Sequence, residues 1–511
     1  MIRCAEKIQE EPLIRSLICK ANTFFDLVFS GPFSVQEKKG NTDSHRLKGK
    51  VPWRIRIESY EPAQYQYALE VAITETEAEA VKSAASFKRQ GLPVRICSLN
   101  HKNSNNYFYK SHYHVRVGVY NSEADARREG WSILNLGHRR IVSEKVRDAI
   151  YVFEIFDGDY QFTYKMEGPV VFTPLRKDQS THVFHVSLTD SPHHGPVNVN
   201  SVFEIIVSEN NSIALVQPIG LEKHTVSALQ HLESTHCPGQ ALKALSIVVR
   251  NSIFERACRY SAFECLEYTP NGYANPTYED APFALASIVQ AVNETRGQFL
   301  YGQNGLASVN YTLNCGGVPD IQTAVLPSDS LFVRSPEGIE DLSPGEIQFR
   351  RWMDLQMPSK LCAHRENEIH HHGDYRWEHV ATAEKIVAAV SAHCNVQLGK
   401  LYDIQIKERS ITGRVQALEL IGRLENIELT GEFLICHEIF SGGLKSAFYY
   451  LEKEMGENGE LLEVTFHGAG LEKSRGLCVE GVLHLAKRGK NYKEILHHYY
   501  KNFEIETFYS I

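Results

Sequence analysis

The sequence has no CxxC pair, no low-complexity block, no excess of basic charge and no apolar run of the length, about 18 residues, that a membrane helix needs. Each absence removes a class of protein. Eleven cysteines, an odd number scattered from Cys4 to Cys478, form no regular framework of the kind that staples small secreted domains, so they read as reduced, packed thiols. A formal net charge of -8 and a pI near 6.3 argue against nucleic acid as the main partner. No transmembrane segment is expected. Near the start, the apolar patch from Phe24 to Phe29 is interrupted by Asp26 and preceded by acidic residues, which is not the pattern of a standard signal peptide.

What is present is an ordinary globular composition. The 511 residues are 43% apolar and 23% charged, enough chain for two to four domains with cores of their own. Residues 1–60 read as irregular, with "EKKGNTDSHRLKGK" from Glu37 to Lys50 as a linker. A compact pattern follows. "YALEVAIT" from Tyr67 is a predicted strand, "EAEAVKSAASFKRQG" a helix ending at Gly91, "LPVRICSL" a second strand and "YHVRVGVY" from Tyr113 to Tyr120 a third. "SEADARREGWSILNLG" opens on Ser122 as helix N-cap and closes at Gly137, and "HRRIVSEK" completes a strand, helix, strand, strand, helix, strand series. That order predicts a small ferredoxin-like sheet with two helices on one face.

From about 146 to 220 the chain is strand-rich, with β-branched and aromatic runs such as "AIYVFEIF" and "SVFEIIVS". Two helices follow, "LEKHTVSALQHLE" and "GQALKALSIVVRNSIFERACRY". The second has Pro238 near its first turn and apolar side chains on almost every face, so it is expected to be buried. "ATAEKIVAAVSAHC" is another helix, and 401–470 returns to strands. The fold class is therefore α+β: a small α/β module at 61–145, then a mixed α+β domain with strand-rich insertions at 146–511.

The second half of the module, "YHVRVGVYNSEADARREGWSILNLG", resembles the SPOR domain, which binds bacterial glycan strands stripped of stem peptides. That resemblance implies a glycan-binding sheet face, with Tyr113, Arg116 and Tyr120 as candidates from the third strand.

From Leu221 onward the chain resembles the SpoIID/LytB family, the stage II sporulation protein D and amidase-enhancer group. The likeness rests on ordered segments: the helix pair itself, "VNETRGQFLYG", "YTLNCGG" (Tyr311 to Gly317), "ERSITGRVQALELIG", "GGLKSAFYYLE" and "FHGAGLEKSRGLCVEGVLHLAKRGKNYKEILHHYYKNFEIE". The resemblance implies a lytic transglycosylase of the periplasm or cell envelope that cleaves peptidoglycan strands lacking stem peptides, alongside an N-acetylmuramoyl-L-alanine amidase. One carboxylic acid suffices for that chemistry. It protonates the glycosidic oxygen, then as carboxylate takes the proton from the sugar's C6 hydroxyl as the anhydro ring closes. Neither metal nor cofactor is required, and the implied site is Glu233 as the acid, with Lys243, Arg250, Tyr311, Cys315, Gly316, Gly317, His467 and Lys473 around the sugar.

Two departures stand out. Alignment on Pro238 and Ala241 to Lys243 puts Leu232 where the family has its acid, with Glu233 one position later, a rotation of about 100° on a continuous helix. The family's "GHG" is replaced by Glu472, Lys473 and Ser474. The alternative reading is a non-catalytic glycan-binding or amidase-regulating protein. Other candidates are weaker. His236 and Cys237 beside Glu233 supply two metal ligands at best, and Cys258 and Cys265 lack a histidine pattern, where structural zinc needs four ligands. "HRENEIHHHGDYRWEH" (His364 to His379) offers five histidines for a metal or for pH sensing. Cys315 as a nucleophile would need a histidine that spacing alone does not supply.

Overall fold

The computed structural model describes residues 2–3, 11–38, 44–74, 76–98, 108–109, 113–126, 128, 140–176, 179–185, 197–199, 201–208, 211–230, 237–259, 286–302, 305–307, 309–319, 375–394, 396–410, 412–431, 434–440, 443–471 and 476–509. They form an α+β chain with three large cores.

The first core is a β-sandwich, and it corrects the expectation of an irregular start. Leu13–Ala21, Phe24–Phe29, Phe33–Glu37, Ser44–Leu47 and Pro52–Glu61 are all strands. Their partners lie far along the chain: Leu13–Ala21 pairs antiparallel with Ile213–Gly220, and Pro52–Glu61 with Ile150–Asp157. Two six-stranded sheets result. Alternate residues of each point inward, so Phe25, Leu27, Phe29, Phe33, Trp53, Ile55, Phe153, Phe172 and Phe203 pack between the sheets with almost no exposure. Each such burial stabilises the fold by about 1.5–3 kcal/mol. Strands 150–220 thus belong with the N-terminal strands, and a boundary at 146 cuts this unit in two.

The small α/β module sits inside the sandwich as an insertion. Its four strands, Gln64–Thr74, Val94–Ser98, Tyr113–Tyr120 and Arg140–Arg147, pair in the spatial order fourth, first, third, second, every pair antiparallel. The helix Glu77–Arg89 covers one face through Ala80, Ala84 and Phe87. It begins at a capping box, Thr76 accepting from the Glu79 amide while Glu79 accepts from the Thr76 amide. Ser122 caps as expected, its hydroxyl accepting from the Asp125 amide at 3.0 Å, while most of the second expected helix lies outside the described residues.

The second core is helical. The helix Leu221–Gln230, the long helix Gly239–Arg259, the helix Ala286–Glu294 and the C-terminal helices Val479–Lys487 and Tyr492–Tyr499 pack around Leu245, Val248, Val249, Phe254, Phe299 and Leu477. The long helix is buried from Ala241 to Val249 apart from a half-covered Lys243, as its apolar circumference requires. Polar side chains inside it are fully committed. Asn251 accepts from the Leu300 amide and donates to the Leu300 and Ala307 carbonyls.

The third core lies between two three-stranded antiparallel sheets. One is Arg376–Thr382, Leu461–Ala469 and Tyr449–Met455, and the other is Leu401–Arg409, Val415–Gly422 and Asn426–Thr430. The helix Ala383–Cys394 and a single π-helical turn, Leu434–Ile439, close the core over Ile386, Leu418, Val464 and Phe466. No helix among the described residues is long and apolar enough to cross a membrane.

Candidate functional site

Three segments far apart in sequence meet where the second and third cores touch. Tyr311–Thr312 pairs parallel with Leu477–Cys478, and the turn after Thr312 backs onto the end of the strand Leu461–Ala469. The approach is backbone to backbone. Gly316 and Gly470 adopt φ of +70° and +73°, and a β-carbon on either would come within 2.7–2.8 Å of the other segment's main chain. Asn314 fastens the contact: its carbonyl accepts from the Leu471 amide and its side-chain oxygen from the Gly316 amide, both at 2.9 Å. The Thr312 hydroxyl donates to the Leu471 carbonyl across 159 residues of sequence.

Two arginines hold this turn from the third core. Arg376 Nη1 donates to the carbonyls of Gly316 and Tyr375, each at 2.9 Å, and its guanidinium lies 4.0 Å over the Tyr375 ring. Arg414, almost completely buried, donates to the Val318 carbonyl at 2.6 Å and the Cys315 carbonyl at 3.4 Å while stacking over Phe448. Trp377 donates to the Gly470 carbonyl, and its ring fills the space beside Gly468.

The outer face of the sheet runs on from Arg376. Glu378, two residues on, faces the same side and stands in register with His467. The His467 imidazole stacks on Tyr450 at 4.8 Å between centroids and lies between two exposed carboxylates, with Nε2 3.2 Å from Glu452 and Nδ1 3.8 Å from Glu378. A guanidinium, an imidazole backed by the buried Tyr450 ring, and carboxylates thus share one surface, a mix that offers a polyhydroxylated ring hydrogen bonds of both senses. Beneath the turn, Cys315 and Cys478 are buried together with Tyr375 and Tyr499 against them. His498 lies in the same region. Burial, and secondarily repulsion from Lys501, hold its pKa below the ordinary histidine range, with an opposing electrostatic pull from Cys315. Burial pushes the Tyr500 phenol upward; its hydroxyl donates to the Asn310 carbonyl at 2.6 Å and accepts from the Leu477 amide.

Of the expected site residues, Tyr311, Cys315, Gly316 and Gly317 lie in this turn, with His467 on the adjoining face. Glu233 and Lys473 lie outside the described residues, as do His236, Cys265, His364 and the 370–372 histidines. Lys243 is ion-paired with Glu294 on the flank of the long helix.

Arg250 is a correction. Its side chain has no exposure: Nε and Nη2 bind both oxygens of Glu222 at 2.6–3.0 Å, and Nη1 and Nη2 reach the carbonyls of Gln298 and Val292. Glu222 also accepts from the Gly297 amide and the Tyr509 hydroxyl. Arg250 is an interior fastener with no surface open to a ligand.

Tyr113 and Arg116 are corrected too. Three positions apart on one strand, they face opposite sides of the module's sheet. Tyr113 packs toward the helix against Ala80, Ala84 and Val115, and Arg116 is largely buried on the other face, bound to Glu144 and near Glu70. His114 Nδ1 approaches Glu70 at 2.7 Å on that same face. Tyr120, past a bulge at Gly118, also turns to the helix side.

The residues missed by sequence reading are Tyr375, Arg376, Arg414, Tyr450 and His498. Tyr375 and Arg376 sit in the segment examined for its histidines, where the alternation of "YRWEHVAT" marks a strand. Among the described residues there is no group of three or more histidine, cysteine or acidic side chains placed to hold a metal ion.

Fold and site define an α+β chain in which a helical core and a twin-sheet core enclose a glycine-lined junction. Residues 333–474 match a domain of unknown function (DUF8618), a stretch that takes in the whole described twin-sheet unit and ends just short of Gly476. No curated protein matches the chain.

Proposed function

We propose that the chain is a protein of the bacterial cell envelope that acts on peptidoglycan strands lacking stem peptides, cleaving them as a lytic transglycosylase with Glu233 as its one acid. The observation that carries this reading is convergence. The segments that resemble SpoIID/LytB motifs, "YTLNCGG", "FHGAGL" and "GLC", lie against one another at a single junction although the contacting residues are far apart in sequence, 159 positions from Thr312 to Leu471 and more from Tyr311 to Leu477. A chance likeness of scattered strings gives no reason for them to meet.

In this reading Glu233, between the helix ending at Gln230 and the long helix starting at Gly239, protonates the glycosidic oxygen and then accepts the C6 hydroxyl proton. Arg376, Glu378 and His467 hold flanking sugars, and the inserted SPOR-like module adds a second grip on the same polymer. An amidase supplies the stripped strands. A binder or amidase regulator is the second reading, favoured by Glu472, Lys473 and Ser474 standing where the family carries "GHG". The experiment is to incubate native and Glu233→Gln chains with amidase-stripped sacculi and follow anhydro-muropeptides. Release by the native chain alone supports the enzyme. Equal release by both removes Glu233 as the acid, and release by neither leaves the binder.

A further inference from the structure

The sandwich carries a surface that this reading leaves unused. On the sheet containing Phe24–Phe29, Pro52–Glu61 and Ile150–Asp157, the residues that do not enter the core are Phe24, Asp26, Arg54, Arg56, Glu154, Phe156 and, on the neighbouring strand, Phe184. They form a band. Arg54 binds Asp26 through two hydrogen bonds of 2.6 and 2.8 Å and lies 3.9 Å over the Phe24 ring. Arg56 binds Glu154 and leans over Phe156.

Above Phe156 stands Tyr160, stacked at 4.6 Å with ring planes 14° apart, and 67% exposed. Its backbone is in the left-handed region, φ +54°, where a residue with a bulky side chain is strained. Asp157 imposes that turn. It is buried, its carboxylate accepts from the amides of Gln161 (2.7 Å) and Phe162 (3.1 Å), and its carbonyl accepts from the Tyr160 amide. Phe184, 45% exposed, stands on the same face at the far side of the band, while Phe162, opposite Asp157, falls on the other face of the sheet under Lys48. A strained turn built to hold a tyrosine flat and open, on the same face as a further open ring, is an arrangement that stability alone does not ask for.

We infer that this band is a carbohydrate-binding platform for a neutral polysaccharide of β-linked pyranoses. The C–H face of such a sugar stacks on Tyr160 and Phe184, while the fixed Arg54–Asp26 pair offers a donor and an acceptor side by side to its equatorial hydroxyls. Charge decides against an anionic surface. The cations are matched by partners, Arg54 by Asp26, Arg56 by Glu154 and Lys165 by Glu58, so the band presents no positive field to phosphate or acidic lipid. The platform is separate from the glycine-lined junction and does not depend on Glu233.

The test is native-gel electrophoresis of the full chain through glycol chitin and, separately, hydroxyethyl cellulose, with vesicles of phosphatidylglycerol and phosphatidylcholine in a parallel flotation. Native protein is expected to be retarded by at least one polysaccharide. Tyr160→Gly, which suits the left-handed backbone and removes the ring, is expected to fold with an unchanged thermal midpoint and to lose at least five-fold in retardation; Tyr160→Trp is expected to keep it. Running Tyr160→Gly also in an Arg376→Ala background reads the platform apart from the junction. The proposal is overturned by native protein passing both gels unretarded, by Tyr160→Gly migrating like native protein, or by the substitution abolishing vesicle flotation while leaving polysaccharide retardation intact.

Discussion

The Arg250 guanidinium and the Glu222 carboxylate, 28 residues apart in sequence, are bonded through three contacts of 2.6–3.0 Å in the interior of the helical core. Tyr509 and the Gly297 amide complete the carboxylate's shell, so the pair ties two helices, a strand start and the C-terminal segment to one charge. Breaking such a pair leaves an uncompensated buried ion. Arg250→Ala is expected to lose about 3–5 kcal/mol in urea denaturation. Replacing both partners by Leu and Met is expected to cost less. An unchanged urea midpoint in Arg250→Ala removes the pair from the stability of this core.

Gly316 and Gly470 are expected to tolerate alanine poorly for two reasons at once. The left-handed backbone costs a residue with a β-carbon about 1–2 kcal/mol, and the added atom meets main chain at 2.7–2.8 Å. Gly431 separates the two effects, since φ is +93° there but nothing lies within 4 Å. Thermal melts should rank Gly316→Ala and Gly470→Ala clearly below Gly431→Ala. Equal losses at all three would mean that the junction can open to make room.

His498 and His379 link stability to pH in the same direction. Burial, followed by repulsion from Lys501 and Lys385 respectively, lowers both pKa values from 6.5. The unfolded chain therefore binds protons near pH 6.5 while the folded chain binds them only lower. Stability is present above that point and falls as pH drops through the window between the two values. Urea midpoints measured from about pH 7.5 to 5.5 should decline for the native chain and flatten in the double Gln variant. An identical slope in that variant rules these two histidines out.

Arg376 and Arg414 hold the same turn and are expected to separate in their effects. Arg376 lies beside the open face of Glu378 and His467, so Arg376→Ala should weaken pelleting with amidase-stripped sacculi about ten-fold, about 1.4 kcal/mol, with a small change in thermal midpoint. Arg414 is buried, so Arg414→Ala should lower the midpoint through lost charge-assisted bonds of about 1.5–3 kcal/mol each. Unaltered pelleting by Arg376→Ala would remove the junction from glycan binding.

The inserted module should be removable. Glu61 and Ile150 are direct partners across the pair of strands that flank it, so a two-residue Asn-Gly turn can replace 62–149. Among the described residues, the two-residue strand Phe108–Tyr109 against Ile2–Arg3, the Arg147–Glu61 ion pair and the packing of Ala149 on the sandwich core go with it. The shortened chain is expected to keep a cooperative melt and lose any sacculus binding owed to the module. An unfolded product contradicts the insertion as a separable unit.

Local features of the fold were legible. The module's strands and first helix follow from alternation and periodicity, the start of its second helix from the Ser122 cap, and the buried long helix from its apolar circumference. The N-terminal strands escaped because nothing local distinguishes "LIRSLICKA" from irregular chain; its partner is at Ile213–Gly220, and sheet pairing at that distance leaves no nearby turn signal. For Arg250 a signal did exist. An arginine within a helix apolar on every side must itself be buried, and a buried cation needs a carboxylate, here Glu222 in the preceding helix. The opposite facing of Tyr113 and Arg116 was also readable, from strand alternation alone.

The split sandwich also shapes how the chain is made. Leu13–Ala21 leaves the ribosome well before Ile213–Gly220, about 200 residues behind at roughly 5–20 residues per second, so it waits some 10–40 s for its partner. Through that interval an apolar edge strand is open to the wrong neighbour, while the inserted module, whose last strand ends at Arg147, is complete sooner and can already fold. Faster translation or added chaperone should therefore change the yield of soluble full-length chain more than that of the module expressed alone.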